Sequence, residues 1–335
     1  MGSRVSIFQV TKRGLVCILV SVLGLAIGQQ QQAPVSNGTG RRPAALPVAV
    51  EPSSTKIRVD SDLVVVPVTV TDSKGRIVPG LQKEQFTLYE DKVEQAITHF
   101  AAEDAPVSIC LVLDTSDSMG PKLRKAQEAV SALLRNANPE DEFCLVEFNH
   151  YPRLVVGMTR QGDEILNQAA VVRTSGSTAL LDAVIMAMNE MTNAHHVRKA
   201  LIIISDGEDN SSRCTVSELK KAVREADVLI YAVGLVDADV LAHSWGRDRF
   251  TGSALLNEIA TQTGGRLFVV NKVKQLPDIA SKIGTWLRNQ YVLAYSPNNP
   301  EKDGRYRRLQ VKLTAPKGFP HLHASWRLGY YAPTE

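Results

Sequence analysis

The sequence predicts an α/β fold: a doubly wound, mostly parallel sheet with helices on both faces, joined to a smaller β-sandwich made from the two flanks. Three observations carry this prediction. From about residue 106 to 290, β-branched apolar runs alternate with amphipathic stretches of helical period, the pattern of β–α–β units. Two of those runs, Ile109–Leu113 and Leu201–Ser205, end abruptly in oxygen-bearing side chains. In open α/β sheets the carboxyl ends of the strands are where ligands bind. On either side, residues 56–103 and 291–335 read as short strands, too few in each flank to close a core alone.

The elements follow in order. Ile109 to Leu113 is continuously apolar, as a strand buried on both faces must be. Gly120-Pro121 opens a helix whose apolar stripe is Leu123, Ala126, Val130, Leu133 and Leu134. Phe143–Phe148 and Leu154–Met158 are the next strands. The turn around Tyr151-Pro152 is too short for a crossover, so the second is an antiparallel edge. Ala179–Met191 is a nearly all-apolar helix placed centrally against the sheet. Val216–Ala226 is a helix and Val228–Val233 a strand. Leu255–Thr263 is a helix stopped by Gly264-Gly265, Leu267–Val270 the last core strand, and Pro277–Asn289 the closing helix.

In the first flank, Val64, Val66, Val68 and Val70 alternate with polar or exposed positions, and Pro67 marks an edge or a bulge. Asp72-Ser73-Lys74-Gly75 is a turn into a return strand at Arg76-Ile77-Val78. Phe86–Tyr89 and Ala96–Phe100 are further strands. In the second flank Tyr291–Tyr295, Arg308–Leu313 and a closing Trp326–Tyr331 are strands. The economical arrangement merges both flanks in one sandwich, with residues 106–290 inserted between 56–105 and 291–335.

Residues 1–28 read as a secretory signal: Lys12 and Arg13 end a charged region, Leu15–Ile27 is apolar, and Ala26 and Gly28 are small. An uncleaved membrane anchor is the alternative. Residues 29–55, with four glutamines followed by Pro34, Pro43, Pro47 and Pro52, read as a disordered linker. The chain is therefore expected to be exported, periplasmic or secreted, with no membrane insertion after signal cleavage. Leaving out Arg4, Lys12 and Arg13 reduces the 38 basic residues to 35, equal to the 35 acidic ones. That balance removes any electrostatic case for nucleic acid as a partner. Cys110, Cys144 and Cys214 are too few for a disulfide scaffold, and no Cys/His spacing suggests zinc. Cys110 and Cys144 lie in strands expected to be neighbours. Two small buried hydrophobes are the expectation there, and a bridge is the alternative.

Asp114, Ser116 and Ser118 occur at alternate positions after a buried strand, with no His or Lys beside them in sequence. This is a poor nucleophile–base set and a good set for a hard cation, which takes oxygen ligands and keeps several waters. The D-x-S-x-S loop, the later Gly176-Ser177-Thr178 and the strand ending in Asp206-Gly207, in that order, resemble the von Willebrand factor A family. The resemblance implies that these loops form a metal-ion-dependent adhesion site. Ser116, Ser118 and Thr178 would supply hydroxyl ligands, and Asp114 and Asp206 would act directly or through water. It implies a divalent cation, Mg²⁺ first, with Mn²⁺ and Ca²⁺ open, and a protein ligand presenting Asp or Glu. Asp117, Glu208 and Asp209 would add rim charge, or are solvated loop residues. Val70–Gly75, Gln85–Asp91 and the closing Tyr291, Asp303–Tyr306 and Gly329–Tyr331 are similar to the bacterial VWFA-related domain proteins described from acidobacteria, a similarity over about residues 56–332.

The functional expectation is an exported, metal-dependent protein-binding module and not an enzyme. The alternatives are a scaffold or assembly subunit with a purely structural metal, and a metal-dependent hydrolase. The hydrolase would need a base beside the metal, and the sequence places none there. His195-His196 falls in a helix–strand loop as a solvated pair. Trp245, Arg247, Arg249 and Phe250, on the Asp237–Gly252 connection, suit a protein contact or an ordered loop over the sheet edge.

Overall fold

The computed structural model describes residues 63–102, 104–135, 137–235, 250–316 and 321–334, without side chains at 250–252 and 273. The expected signal, the linker and nearly all of the Trp245 connection lie outside the described residues.

The first flank carries β1 (Val64–Asp72), β2 (Phe86–Glu90), β3 (Val93–Gln95) and β4 (His99–Ala101). There follow β5 (Val107–Asp114), α1 (Leu123–Arg135), β6 (Glu142–Phe148), β7 (Pro152–Thr159), α2 (Gly162–Val171) and α3 (Leu180–Glu190). Then come β8 (Arg198–Ser205), α4 (Val216–Glu225), β9 (Leu229–Leu235), α5 (Phe250–Thr263), β10 (Leu267–Val270) and α6 (Leu276–Arg288). The second flank carries β11 (Tyr291–Tyr295), β12 (Tyr306–Leu313), β13 (Leu322–Trp326) and β14 (Gly329–Tyr331).

The central sheet has the order β10-β9-β8-β5-β6-β7, parallel throughout except for β7, which runs antiparallel to β6 at the edge. Strand β5 is buried at every position. Its side chains divide by parity. Ile109, Leu111 and Leu113 pack with Ala126, Val130 and Leu133 of α1 and Ile283, Trp286 and Leu287 of α6. Cys110 and Val112 pack with Leu180, Val184 and Ala187 of α3, Leu219 of α4 and Ile259 of α5. This two-sided burial is why the run carries no polar alternation. Helix α2 is absent from the sequence reading; only Ile165 and Ala169, four apart, are buried in it.

Cys110 and Cys144 are paired across β5 and β6 and form a disulfide, in place of the two thiols expected. The register puts these two residues opposite each other, with Cα atoms 4.5 Å apart. Cys214 is free and half-buried.

Both flanks contribute to each of two four-stranded sheets, β13-β1-β11-β4 and β14-β12-β2-β3. Val66, Val68 and Val70 of β1 meet Leu88 of β2, Leu293 of β11 and Val311 of β12 in one apolar core. Pro67 sits on an interior strand, yet its flank toward β13 is open, because that ladder starts at Val68. The return strand at Arg76–Val78 reduces to a single bridge, Thr71 to Ile77. The single closing strand expected from Trp326 to Tyr331 is instead two strands in different sheets. The chain turns at Arg327-Leu328, where Leu328 N donates to Gln262 O of α5 and Leu309 N donates to Leu328 O. Gly264, at φ +90°, ends α5 there, and a Cβ on it would stand 2.5 Å from the Trp326 carbonyl carbon.

A buried polar network also spans the two sheets. Glu90 accepts from Tyr295 Oη at 2.5 Å and Tyr330 Oη at 2.8 Å, and pairs with Arg307 at 3.3 Å. Burial and the Glu90 carboxylate raise the Tyr295 hydroxyl far above its ordinary range.

The sandwich docks at the amino-terminal end of the central sheet. The Arg198 guanidinium at the start of β8 donates to Arg288 O and Gln290 O. Trp286 Nε1 donates to Gly75 O at 3.2 Å, and Gln290 Nε2 to Thr69 Oγ1 at 3.3 Å. At the same end His195 is solvent-exposed, as expected, and His196 is half-buried, yet both rings have partners. The His195 ring lies 3.0 Å from Glu142 Oε2, and the His196 ring lies 2.7 Å from Glu140 O. Burial opposes ionisation of Glu142, but hydrogen bonds from Ser108 and His195 outweigh it and hold the carboxyl down at about 2.

Because β1 pairs with β11 and β13 and β2 with β12, removing residues 291–335 strips β1 of both its neighbours and leaves β2 only β3. Amide hydrogen exchange of the truncated chain should show residues 63–102 unprotected. Retained protection there would contradict a shared core.

Candidate functional site

The carboxyl end of β5 delivers Asp114 into a fully buried position. Its Oδ1 accepts from Ser116 N at 2.9 Å and Ser116 Oγ at 2.6 Å, and its Oδ2 accepts from Ser205 Oγ at 2.5 Å. Ser116 Oγ lies 3.1 Å from Ser118 Oγ, so the three residues of the D-x-S-x-S loop form one contiguous set. Ser116 is buried, whereas Ser118 is exposed to solvent. Burial pushes the Asp114 carboxyl up to about 6, against hydrogen bonds from Ser116 and Ser205, and the Asp206 charge pushes the same way. A nearby positive charge would reverse that direction.

Two further loops are tied to this one by main-chain hydrogen bonds. Ser175 N donates to Thr115 O at 2.8 Å and Asp117 N to Gly176 O at 3.0 Å, which docks the Thr178 loop on the D-x-S-x-S loop. Gly176 makes this close approach at φ +75°, and a Cβ there would stand 2.6 Å from His150 Nδ1. Thr178, buried, donates through N to Asn210 Oδ1 at 2.8 Å, while Asn210 N and Ser211 N donate to Thr178 O. The loop after β8 therefore holds Thr178 in place from the other side. Ser212 Oγ donates to Asp209 Oδ1 at 2.5 Å and accepts from Leu181 N at 3.0 Å. Asp209 is thus engaged in capping α3, while Glu208 is exposed.

Asp206 follows Ser205 at the end of β8. Its side chain is 9% exposed, and its Oδ2 lies 3.4 Å from Lys122 Nζ. Its Oδ1 is buried and accepts no hydrogen bond among the described residues. A buried carboxylate oxygen left in that state costs free energy unless a group absent from the protein itself completes it. The donor chemistry fits a hard divalent cation: two carboxylates and three hydroxyls, all oxygen. No cluster of three or more His, Cys, Asp or Glu able to hold a metal is found among the described residues.

Sequence reasoning missed several functional neighbours. Ser205, named in the sequence only as a hydroxyl at the end of β8, and Asn210 and Ser212, in the loop after it, anchor the loops, and their signal was only that position. Lys122 is the larger correction. The expectation of no Lys or His beside the site does not hold in space: the Lys122 ammonium meets Asp206, and His150 stands over Gly176. Ser205 and Thr115, the hydroxyls nearest in sequence, are already engaged, Thr115 Oγ1 donating to Phe148 O at 2.9 Å.

A family model described as the von Willebrand factor type A domain matches residues 108–282. Inter alpha-trypsin inhibitor heavy chain 4 of Mus musculus is 27% identical over 146 residues, 39% of this chain and 16% of that protein. Inter-alpha-trypsin inhibitor heavy chain H2 of Sus scrofa is 26% identical over 196 residues, 52% of this chain and 21% of that protein. This chain thus spans about a fifth or less of the length of these relatives. A solved von Willebrand factor type A protein from Catenulispora acidiphila aligns over 83% of this chain and 75% of its own, at 13% identity and a TM-score of 0.48. No described helix is long and apolar enough to cross a membrane.

The hydrogen bonds predict different costs for two of the site residues. Asp114→Ala leaves Ser116 N, Ser116 Oγ and Ser205 Oγ without their acceptor in a buried place, a loss of about 2–4 kcal/mol. Ser118→Ala removes an exposed hydroxyl and should change stability by less than about 0.5 kcal/mol. Chemical denaturation in chelator measures both; equal losses would mean that the Asp114 network is misassigned.

Proposed function

This chain belongs to the von Willebrand factor type A domain family, and from that premise we propose that it is an exported, non-catalytic protein-binding module whose site takes a divalent cation. Ser116, Ser118 and Thr178 would hold the cation through hydroxyls, with Asp114 and Asp206 supplying charge. The observation that carries the reading is Asp206 Oδ1, buried without a partner beside a second buried carboxylate. A divalent cation bound there supplies positive charge and a coordination position that a carboxylate of a protein ligand can take.

The chain's own residues support binding over a purely structural metal. The three loops are joined by main-chain hydrogen bonds, which tie them together independently of their side-chain oxygens. Ser118, at the solvent side, leaves the site accessible from the face opposite the sandwich. Export is supported by the signal-like residues 1–28 and by the Cys110–Cys144 disulfide, a bond that persists in oxidising compartments. A binding role, not hydrolysis, is favoured because Lys122, the amine that meets the site, is paired with Asp206 and does not serve as the base that a metal-activated water would need.

Calorimetric titration of Mg²⁺ into the purified, chelator-stripped protein should show one binding event that Ser118→Ala weakens about tenfold or more, with its fold intact. On the Mn²⁺-loaded protein, acetate as a carboxylate probe should lower water proton relaxation by displacing bound water. Unchanged Mg²⁺ binding in Ser118→Ala would refute the ligand assignment, and acetate without effect would refute carboxylate capture.

A further inference from the structure

Lys122 is out of place by ordinary rules. It opens α1, its carbonyl accepting from Lys125 N and Ala126 N, and the positive end of a helix dipole disfavours a cation there. It is also only 6% exposed, and an ammonium is not buried without charged or polar partners. The partner at the site is Asp206 Oδ2, 3.4 Å away and equally enclosed. Among the described residues, this contact sets one ammonium against Asp206, with the Asp114 carboxylate beside it. Asp206, the carboxylate whose other oxygen is open, shares its charge with a lysine that the protein carries itself.

We propose that Lys122 is a built-in counter-ion of the cation site, which holds the Asp206 loop in place when no metal is bound and which an entering cation must outcompete. This inference rests on the cation-site reading above. A monovalent ion brings no more charge to Asp206 than the lysine already does, so it gains little by entering. A divalent ion brings a second charge and can prevail, at an affinity reduced by repulsion from the ammonium. The same repulsion leaves the loaded site more electropositive, which favours a ligand carboxylate. Lys122 thus acts as a positioning residue that couples cation binding to ligand binding.

The test uses Lys122→Met, which keeps the length and removes the charge, and Lys122→Gln, which keeps a polar end should the methionine variant fail to fold. In chelator, both variants should melt at a lower temperature than the parent, because Asp206 has lost its partner. Calorimetry should then show Mg²⁺ bound about tenfold or more tighter than in the parent, and Mg²⁺ should raise the melting temperature of the variants by more. A lysine with a merely structural role would lower stability without tightening Mg²⁺. Unchanged or weaker Mg²⁺ affinity in folded variants, with Mg²⁺ still binding the parent, overturns the counter-ion role and leaves the cation site standing. Absence of Mg²⁺ binding in parent and variants alike overturns both.

Discussion

The structure depends on a carboxylate buried at the end of a strand that is itself buried on both faces. Asp114 reaches that position because β5 runs between β8 and β6 at the centre of the sheet and is covered by helices on each side. A carboxyl there resists ionisation, and the surrounding loops are arranged to answer it. Ser116 and Ser205 donate to its two oxygens, and neither β5 nor β8 has freedom to move them away. The adjacent loops then fasten to one another through Thr115, Asp117, Gly176 and Thr178, and the hydroxyls of Ser116 and Ser118 meet beside the Asp114 carboxylate. Lys122 answers the second carboxylate, and Asp206 Oδ1 is left open. The site is thus a balance of buried charges resting on a rigid sheet.

The interleaved sandwich adds a constraint from the opposite end. Only Asn289 and Gln290 separate α6 from β11, and β1, β11 and β13 are neighbours in one sheet. Trp286 and Gln290 reach across to Gly75 and Thr69, and Arg198, at the foot of β8, grips the end of α6. The strand that leads to Asp206 is therefore anchored at its start to the helix that leads into the sandwich. The candidate site thus lies at the solvent end of the sheet, and the flanks close the other end.

Where burial was two-sided and continuous, sequence was enough to read the elements. The Ile109–Leu113 and Leu201–Ser205 runs, the stripe of α1 and the glycine stop after α5 all express local rules that the structure keeps. Strand ends in such sheets are confined to few positions, and the structure brings together the loops that carry Asp114, Ser116, Ser118, Thr178 and Asp206. What was not legible depended on distance along the chain. Lys122 meets a partner 84 positions away, and Cys110 meets Cys144 through a register that no local pattern states. Helix α2 lies by the sheet edge with two buried residues, too few to impose a clear period. The split of the closing strand depends on the docking of Leu328 against α5, a contact between segments 66 residues apart (Gln262 to Leu328). Glu90, one position beyond the Phe86–Tyr89 strand read from the sequence, is the hub of a buried network with Tyr295, Tyr330 and Arg307.

The central claim is that the ends of β5 and β8 deliver their carboxylates to one cation shared with the hydroxyls of Ser116, Ser118 and Thr178. Anomalous diffraction from crystals grown with Mn²⁺ tests it most directly. The account predicts a single strong peak at the carboxyl end of β5, coordinated by those hydroxyls, with Lys122 turned away from Asp206. A peak elsewhere, or Lys122 still on Asp206 with no ion at the hydroxyls, would contradict it.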